Sequence, residues 1–236
     1  MAASAQAKAT HFVAALLDPC RWWVRWAPAV ASLWASGAIV ATLAIAAIQG
    51  RRCMNISPSA LLHPADVIYP TLMIVAAVSY AFAGVCFNRW LRLGRLQGRS
   101  SDVLRLLLLA CWLVISVFVA LVALFPQSAD VDTQRMHSLS ADLLIVLPLL
   151  FIVAYLLLWQ ISDELKQTLS PRRMAIKLGI TAAVPTAVIG LSIAALGYPC
   201  DGVRQWAQYF AFIGFFSSFS LELSLAWPHT TTLAAV

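Results

Sequence analysis

Six uncharged stretches divide the chain, bounded in turn by Arg25 and Arg51, Asp66 and Arg89, Arg105 and Asp130, Asp142 and Asp163, Lys177 and Asp201, and Arg204 and Glu222. A helix of about 20 apolar residues crosses a hydrocarbon core of about 30 Å, so each stretch is near spanning length. None alternates apolar and polar positions as barrel strands do, so all six predict helices. The pattern places these helices at 27–48, 68–87, 106–125, from near His137 onwards, 175–196 and 204–227. The fold class is therefore all-α, a polytopic membrane protein with six transmembrane helices in one bundle spanning 27–227. Residues 1–26 form a cytoplasmic tail and an interfacial segment, HFVAALLDPCRWWVRW, whose tryptophans and arginines suit the headgroup region. Residues 228–236 form a second cytoplasmic tail. The first apolar run is too long for a cleaved signal peptide and reads as a signal anchor.

Composition agrees with this pattern. Of 236 residues, 61% are hydrophobic and 11% charged, with a mean hydropathy of +0.83, which excludes a soluble domain with a solvated surface. The net charge of +6 is explained by where the cations sit. Lys8, Arg21 and Arg25, then Arg89, Arg92, Arg95, Arg99 and Arg105, then Lys166, Arg172, Arg173 and Lys177 fall on one side of the bundle. Only Arg51, Arg52, Arg135 and Arg204 fall on the other. The positive-inside rule then puts both termini in the cytoplasm. The basic excess is a topology signal, and nucleic acid is not an expected partner.

Arg89, Arg92, Arg95 and Arg99 alternate with Leu and Trp in the second loop, a pattern that attracts anionic lipid on the cytoplasmic face or a cytoplasmic protein partner. Each such charge contributes about 1 kcal/mol near the membrane surface. On the outer side, Cys53 and Cys200 predict a disulfide, with two free thiols as the alternative, whereas Cys20, Cys86 and Cys111 lie inside or within helices. Asn55-Ile56-Ser57 is a glycosylation sequon in the same outer loop.

Chemistry is sparse. No phosphate loop, dinucleotide fingerprint, H-E-x-x-H or C-x-x-C occurs, so no cofactor is expected. His63 and His137, with Asp66, Asp130, Asp132 and Asp201, make the one outer cluster that suits metal or acid/base work, and no metal site is assigned to it. On a helix His137 and Asp142 diverge by about 140°, so they are no simple dyad, while Ser138 and Asp142 share a face. Asp142, Gln205 and Glu222 are the polar groups of interest within the membrane. A lone acid such as Glu222 needs a partner, for which Arg89 or Arg92 is the candidate; Pro148 and Pro185 imply kinks.

Several short matches fall in order along this frame. They are Pro28, Leu33-Trp34 and Gly37; Ile56-Ser57, Pro64, Leu72-Met73-Ile74 and Ala76; and Phe125, His137 and Ala141, with Pro126 in place of a usual Gln and Ser140 in place of a frequent Gly. Together they resemble the DRAM, Frag and Sfk family of six-helix membrane proteins over most of 27–225. Helix six of the family tends to place an acid before an aromatic and a second acid near its end; here Gln205-Trp206 and Glu222 occupy those places. The likeness implies membrane-lipid handling in endomembranes: remodelling of GPI lipid, recruitment of a lipid kinase or control of lipid distribution. It also implies outer-loop cysteines at positions such as Cys53 and Cys200.

The leading expectation is a non-enzymatic membrane protein that handles lipid or recruits a partner. The alternatives are a lipid-remodelling or acyl-transfer enzyme using His137 as base with Asp142 or an outer aspartate in support, a channel or transporter built on Pro148, Pro185, Asp142 and Glu222, and a structural subunit of a membrane complex. The membrane is an endomembrane or plasma membrane in a eukaryote and the inner membrane in a bacterium.

Overall fold

The computed structural model describes residues 22–48, 67–93, 99–125, 130–196 and 201–225. Cys53, His63, Asp66, Arg95, Cys200 and the Asn55 sequon lie outside them. Among the described residues the structure is entirely helical: α1 (Trp22–Ile48), α2 (Ile68–Leu93), α3 (Arg99–Leu124), α4 (Val131–Ile161), α5 (Asp163–Thr168), α6 (Pro171–Leu196), α7 (Asp201–Ser217) and α8 (Phe219–Leu225). Helices α1 to α4 each contain a run long and apolar enough to cross a membrane. The tryptophan-rich end of the expected interfacial segment, Trp22 to Trp26, is helical and continuous with α1.

Two boundaries have local causes. Helix four opens at Val131, almost two turns before the His137 start expected from hydrophobicity, because Asp130 caps it. The Asp130 carboxylate accepts from the Thr133 backbone N–H at 2.9 Å and from its hydroxyl at 2.6 Å, satisfying donors that a helix start leaves open. These bonds hold the exposed Asp130 carboxyl below its ordinary range. At the other end Ser162 closes α4 through its N–H to the Leu158 carbonyl and caps α5 by accepting from the Leu165 N–H.

The helices pack in chain order from α1 to α4, and α1 also lies against α7 and α8, while α6 packs on α7. Small residues allow the close approach at the centre. Ala27, Ala31, Ala35 and Ala38 are buried one helical turn apart on α1, and Ala76, Ala77 and Ala83 are buried on α2. In a membrane, where burying apolar surface drives little association, such stripes let backbones touch. Hydrogen bonds tie the same junction: the Ser32 hydroxyl lies 3.2 Å from the Tyr80 hydroxyl and donates to the Ile213 carbonyl, and Ser220 Oγ accepts from the Ala29 N–H.

Aromatic side chains fill the rest of the core. Phe87, Trp112, Phe151, Tyr155, Phe215 and Phe219 are all fully buried, with neighbouring ring centroids 4.5–6.4 Å apart. Gly84 makes room for them: a Cβ there would meet the Trp112 ring at 2.8 Å. Beside Trp112 a small apolar cavity of about 60 Å³ reaches towards Tyr69 and Tyr209. The outside of the bundle is apolar at many points, including Leu33, Val78, Val103, Leu149, Ile176 and Ile180, as a lipid-facing surface is.

Candidate functional site

Three helices converge on one buried ion pair. Tyr155 stands on the inward stripe of α4 with Phe151 and Leu158, at i, i+4 and i+7 spacing. Lys177 shares the inward face of α6 with Met174, while Ala175 and Ile176 beside it face outwards. Glu222 follows Phe215 and Phe219, so the end of α7 and the start of α8 present the acid together with two rings.

Lys177 Nζ lies 2.5 Å from Glu222 Oε1, and the side chains are only 5% and 4% exposed. The Tyr155 hydroxyl donates to Glu222 Oε2, so each carboxylate oxygen has a donor. The ammonium also sits against π faces, 3.3 Å from the Phe219 ring centroid, 4.4 Å from Phe215 and 5.0 Å from Tyr155. Taking two charges out of water costs several kcal/mol each, which mutual attraction offsets only when the remaining hydrogen-bonding positions are also filled. Here the tyrosine and the aromatic faces fill them. Glu222 was expected to pair with Arg89 or Arg92; its partner is Lys177.

The pair floors a groove of about 380 Å³ between α6 and the α7–α8 junction. Arg173, one turn before Lys177 on the same helix face, lines it and is exposed. Ile176, Ile180 and Leu221 give it apolar walls, all three exposed on the bundle surface.

Among the described residues, the lining of this groove includes none of the other predicted residues. His137 is buried and its Nδ1 lies 2.6 Å from the Phe125 carbonyl. A carbonyl can only accept, so Nδ1 carries the proton and Nε2 is the basic nitrogen. Asp142 is exposed on another face of α4, in keeping with the 140° offset, and no hydrogen bond or ion pair joins it to His137. Asp130 acts as the helix cap, Asp132 is exposed in the first turn of α4, and Asp201 starts α7. Among the described residues no three His, Cys, Asp or Glu side chains gather as metal ligands. In the second loop Arg89 is half-buried and Arg92 exposed at the end of α2, and Arg99 begins α3. Arg105 donates to Asn88 across the α2–α3 turn and pairs with Asp102. Gln205 lies in α7.

Sequence reasoning found the acid but missed Lys177 and Tyr155. In the sequence Lys177 reads as a topology charge of the basic loop that holds Lys166, Arg172 and Arg173. The available signal was its position six residues inside a helix, among apolar neighbours and on the same membrane side as the unpaired Glu222.

Among the described residues, an all-helical bundle with four bilayer-length apolar helices and an apolar exterior defines a multi-pass integral membrane protein. The chain belongs to the family described as Frag1/DRAM/Sfk1/Cwh43P N-terminal domain, whose model matches residues 23–226. No curated protein and no solved structure matches it.

Proposed function

We propose that the chain is a six-crossing membrane protein with both termini cytoplasmic that binds lipid at its cytoplasmic end and does not transform it. Helix α6 runs for 26 residues, about 39 Å at 1.5 Å per residue, enough for a fifth crossing. The consecutive α7 and α8, with their apolar run Tyr209–Leu223, supply the sixth. The four-to-twelve division of cations supports the orientation. It puts Lys177, Glu222, Arg173, Arg89 and Arg92 near the inner leaflet, and the Cys53–Cys200 bridge outside.

The observation that carries the lipid reading is the groove, in which a buried ion pair and an exposed arginine open between apolar walls at the helix ends. Purification in mild detergent followed by mass spectrometry of bound lipid tests it, with retained phospholipid expected. A protein that is monodisperse and lipid-free under those conditions refutes it. Membrane-impermeant thiol labelling after reduction tests the orientation: Arg95→Cys labelled from the same side as Cys53 overturns it.

A second reading has one observation in its favour. The Phe125 carbonyl fixes the His137 tautomer and leaves Nε2 as an acceptor, the state a general base requires. His137→Ala with intact expression and an altered cellular lipid profile favours this lipid-remodelling reading; an unchanged profile removes it.

A further inference from the structure

We propose that the groove between α6 and the α7–α8 junction is a site for one anionic phospholipid, whose phosphate pairs with Arg173 and whose first acyl carbons lie along Ile176, Ile180 and Leu221. This rests on the lipid reading above and adds the class of lipid and the residue that selects it.

Three features of the groove lead to this occupant. The first is its gradient of polarity. Arg173, Lys177 and Ile180 follow one face of α6, and seven residues of helix separate the arginine from the isoleucine by about 10 Å. The groove therefore passes from a cation at one end to hydrocarbon at the other, the order a phospholipid presents from phosphate to chain.

The second is charge. Lys177 and Glu222 neutralise one another at 2.5 Å, so the charge that the groove offers is the single positive charge of Arg173, which has no ion-pair partner among the described residues. A guanidinium matches a phosphate through paired N–H donors, which an ammonium cannot do.

The third is that the aromatic box is already filled. A quaternary ammonium headgroup binds by sitting on aromatic faces. The faces of Phe219, Phe215 and Tyr155 are taken by the Lys177 ammonium, and the Glu222 carboxylate by Lys177 and Tyr155. A choline group finds neither a free ring nor a free anion, so a zwitterionic choline lipid gains only its phosphate contact and leaves its cation beside Arg173. The buried pair thus acts as a filter against cationic headgroups.

Native mass spectrometry of the full chain in detergent, titrated with phosphatidylglycerol or phosphatidylcholine of the same acyl chains, tests the proposal. One phosphatidylglycerol per chain is expected, bound at least tenfold more tightly than phosphatidylcholine. Arg173→Ala weakens phosphatidylglycerol about tenfold, the scale of one lost charge-assisted hydrogen bond. Leu221→Trp, which fills the groove without touching a charge, weakens it as well. Water-soluble glycerophosphoglycerol, lacking chains, does not compete at the concentrations where the lipid saturates. Phosphatidylglycerol affinity within twofold of wild type in both Arg173→Ala and Leu221→Trp overturns the site while leaving the lipid reading standing. Equal binding of the two lipids overturns the filter, and competition by glycerophosphoglycerol overturns the lipid as occupant. Absence of any bound lipid in the wild-type chain overturns the lipid reading itself.

Discussion

Lys177→Met leaves the Glu222 carboxylate inside the protein with only the Tyr155 hydroxyl as donor. With both side chains at or below 5% exposure, little solvent screens the loss. Breaking such a pair by removing one member costs about 3–5 kcal/mol, because the survivor is a buried charge without compensation. The cation's contacts with three rings, worth about 2 kcal/mol when desolvated, are lost with it and form part of that total. Glu222→Leu strands the ammonium and takes the acceptor from the Tyr155 hydroxyl, at a similar cost. Lys177→Met combined with Glu222→Leu removes both charges and replaces them with apolar groups of similar size, a change that is often neutral or stabilising. The double variant is therefore more stable than either single one, with a coupling of at least about 2 kcal/mol in the cycle. Unfolding by SDS in mixed micelles, followed through helicity, measures all four corners. Single variants within about 1 kcal/mol of wild type, or a double variant whose loss equals the sum of the singles, refute the view of a sealed pair whose charges depend on each other.

Gly84→Ala pushes a methyl into the Trp112 ring and destabilises the bundle by about 1–3 kcal/mol in the same assay, and Gly84→Ala with Trp112→Phe recovers part of the loss. Asp130, whose carboxyl is held below its ordinary range by Thr133, stabilises the start of α4 at pH above that range and ceases to do so as pH falls through the lowered value. Amide exchange at Thr133 therefore accelerates relative to Leu144 under acid conditions, and Asp130→Asn flattens that dependence. Ser32→Ala removes the contact with Tyr80 and the bond to the Ile213 carbonyl and costs about 1 kcal/mol, two interactions at the average of about 0.6 kcal/mol for hydrogen bonds between membrane helices. A loss below about 0.3 kcal/mol shows that the backbones hold that junction without it.

The membrane class, the helical character and the approximate place of each apolar run were legible because a bilayer imposes length and polarity on any segment that crosses it, whatever its neighbours are. The start of α4 was misplaced because hydrophobicity begins at the bilayer while the helix begins at its cap, Asp130, outside the apolar run. The family likeness was carried by short motifs of Pro, Gly, Trp and His that keep their order along the chain, and it stands.

The partner of Glu222 was not legible. An acid in an apolar run announces that some donor must be near, but residues 155, 177 and 222 meet only when three separate helices pack, and nothing in their spacing distinguishes Lys177 from Arg89 or Arg92 as that donor. The sequence alone settled that this chain lives in a membrane as apolar helices, since transfer into hydrocarbon depends on each segment by itself. Which charges were sealed together, which arginine was left to line a groove, and which aromatic faces were already occupied were decided by tertiary packing, because pairing depends on distance between helices, which local composition does not encode.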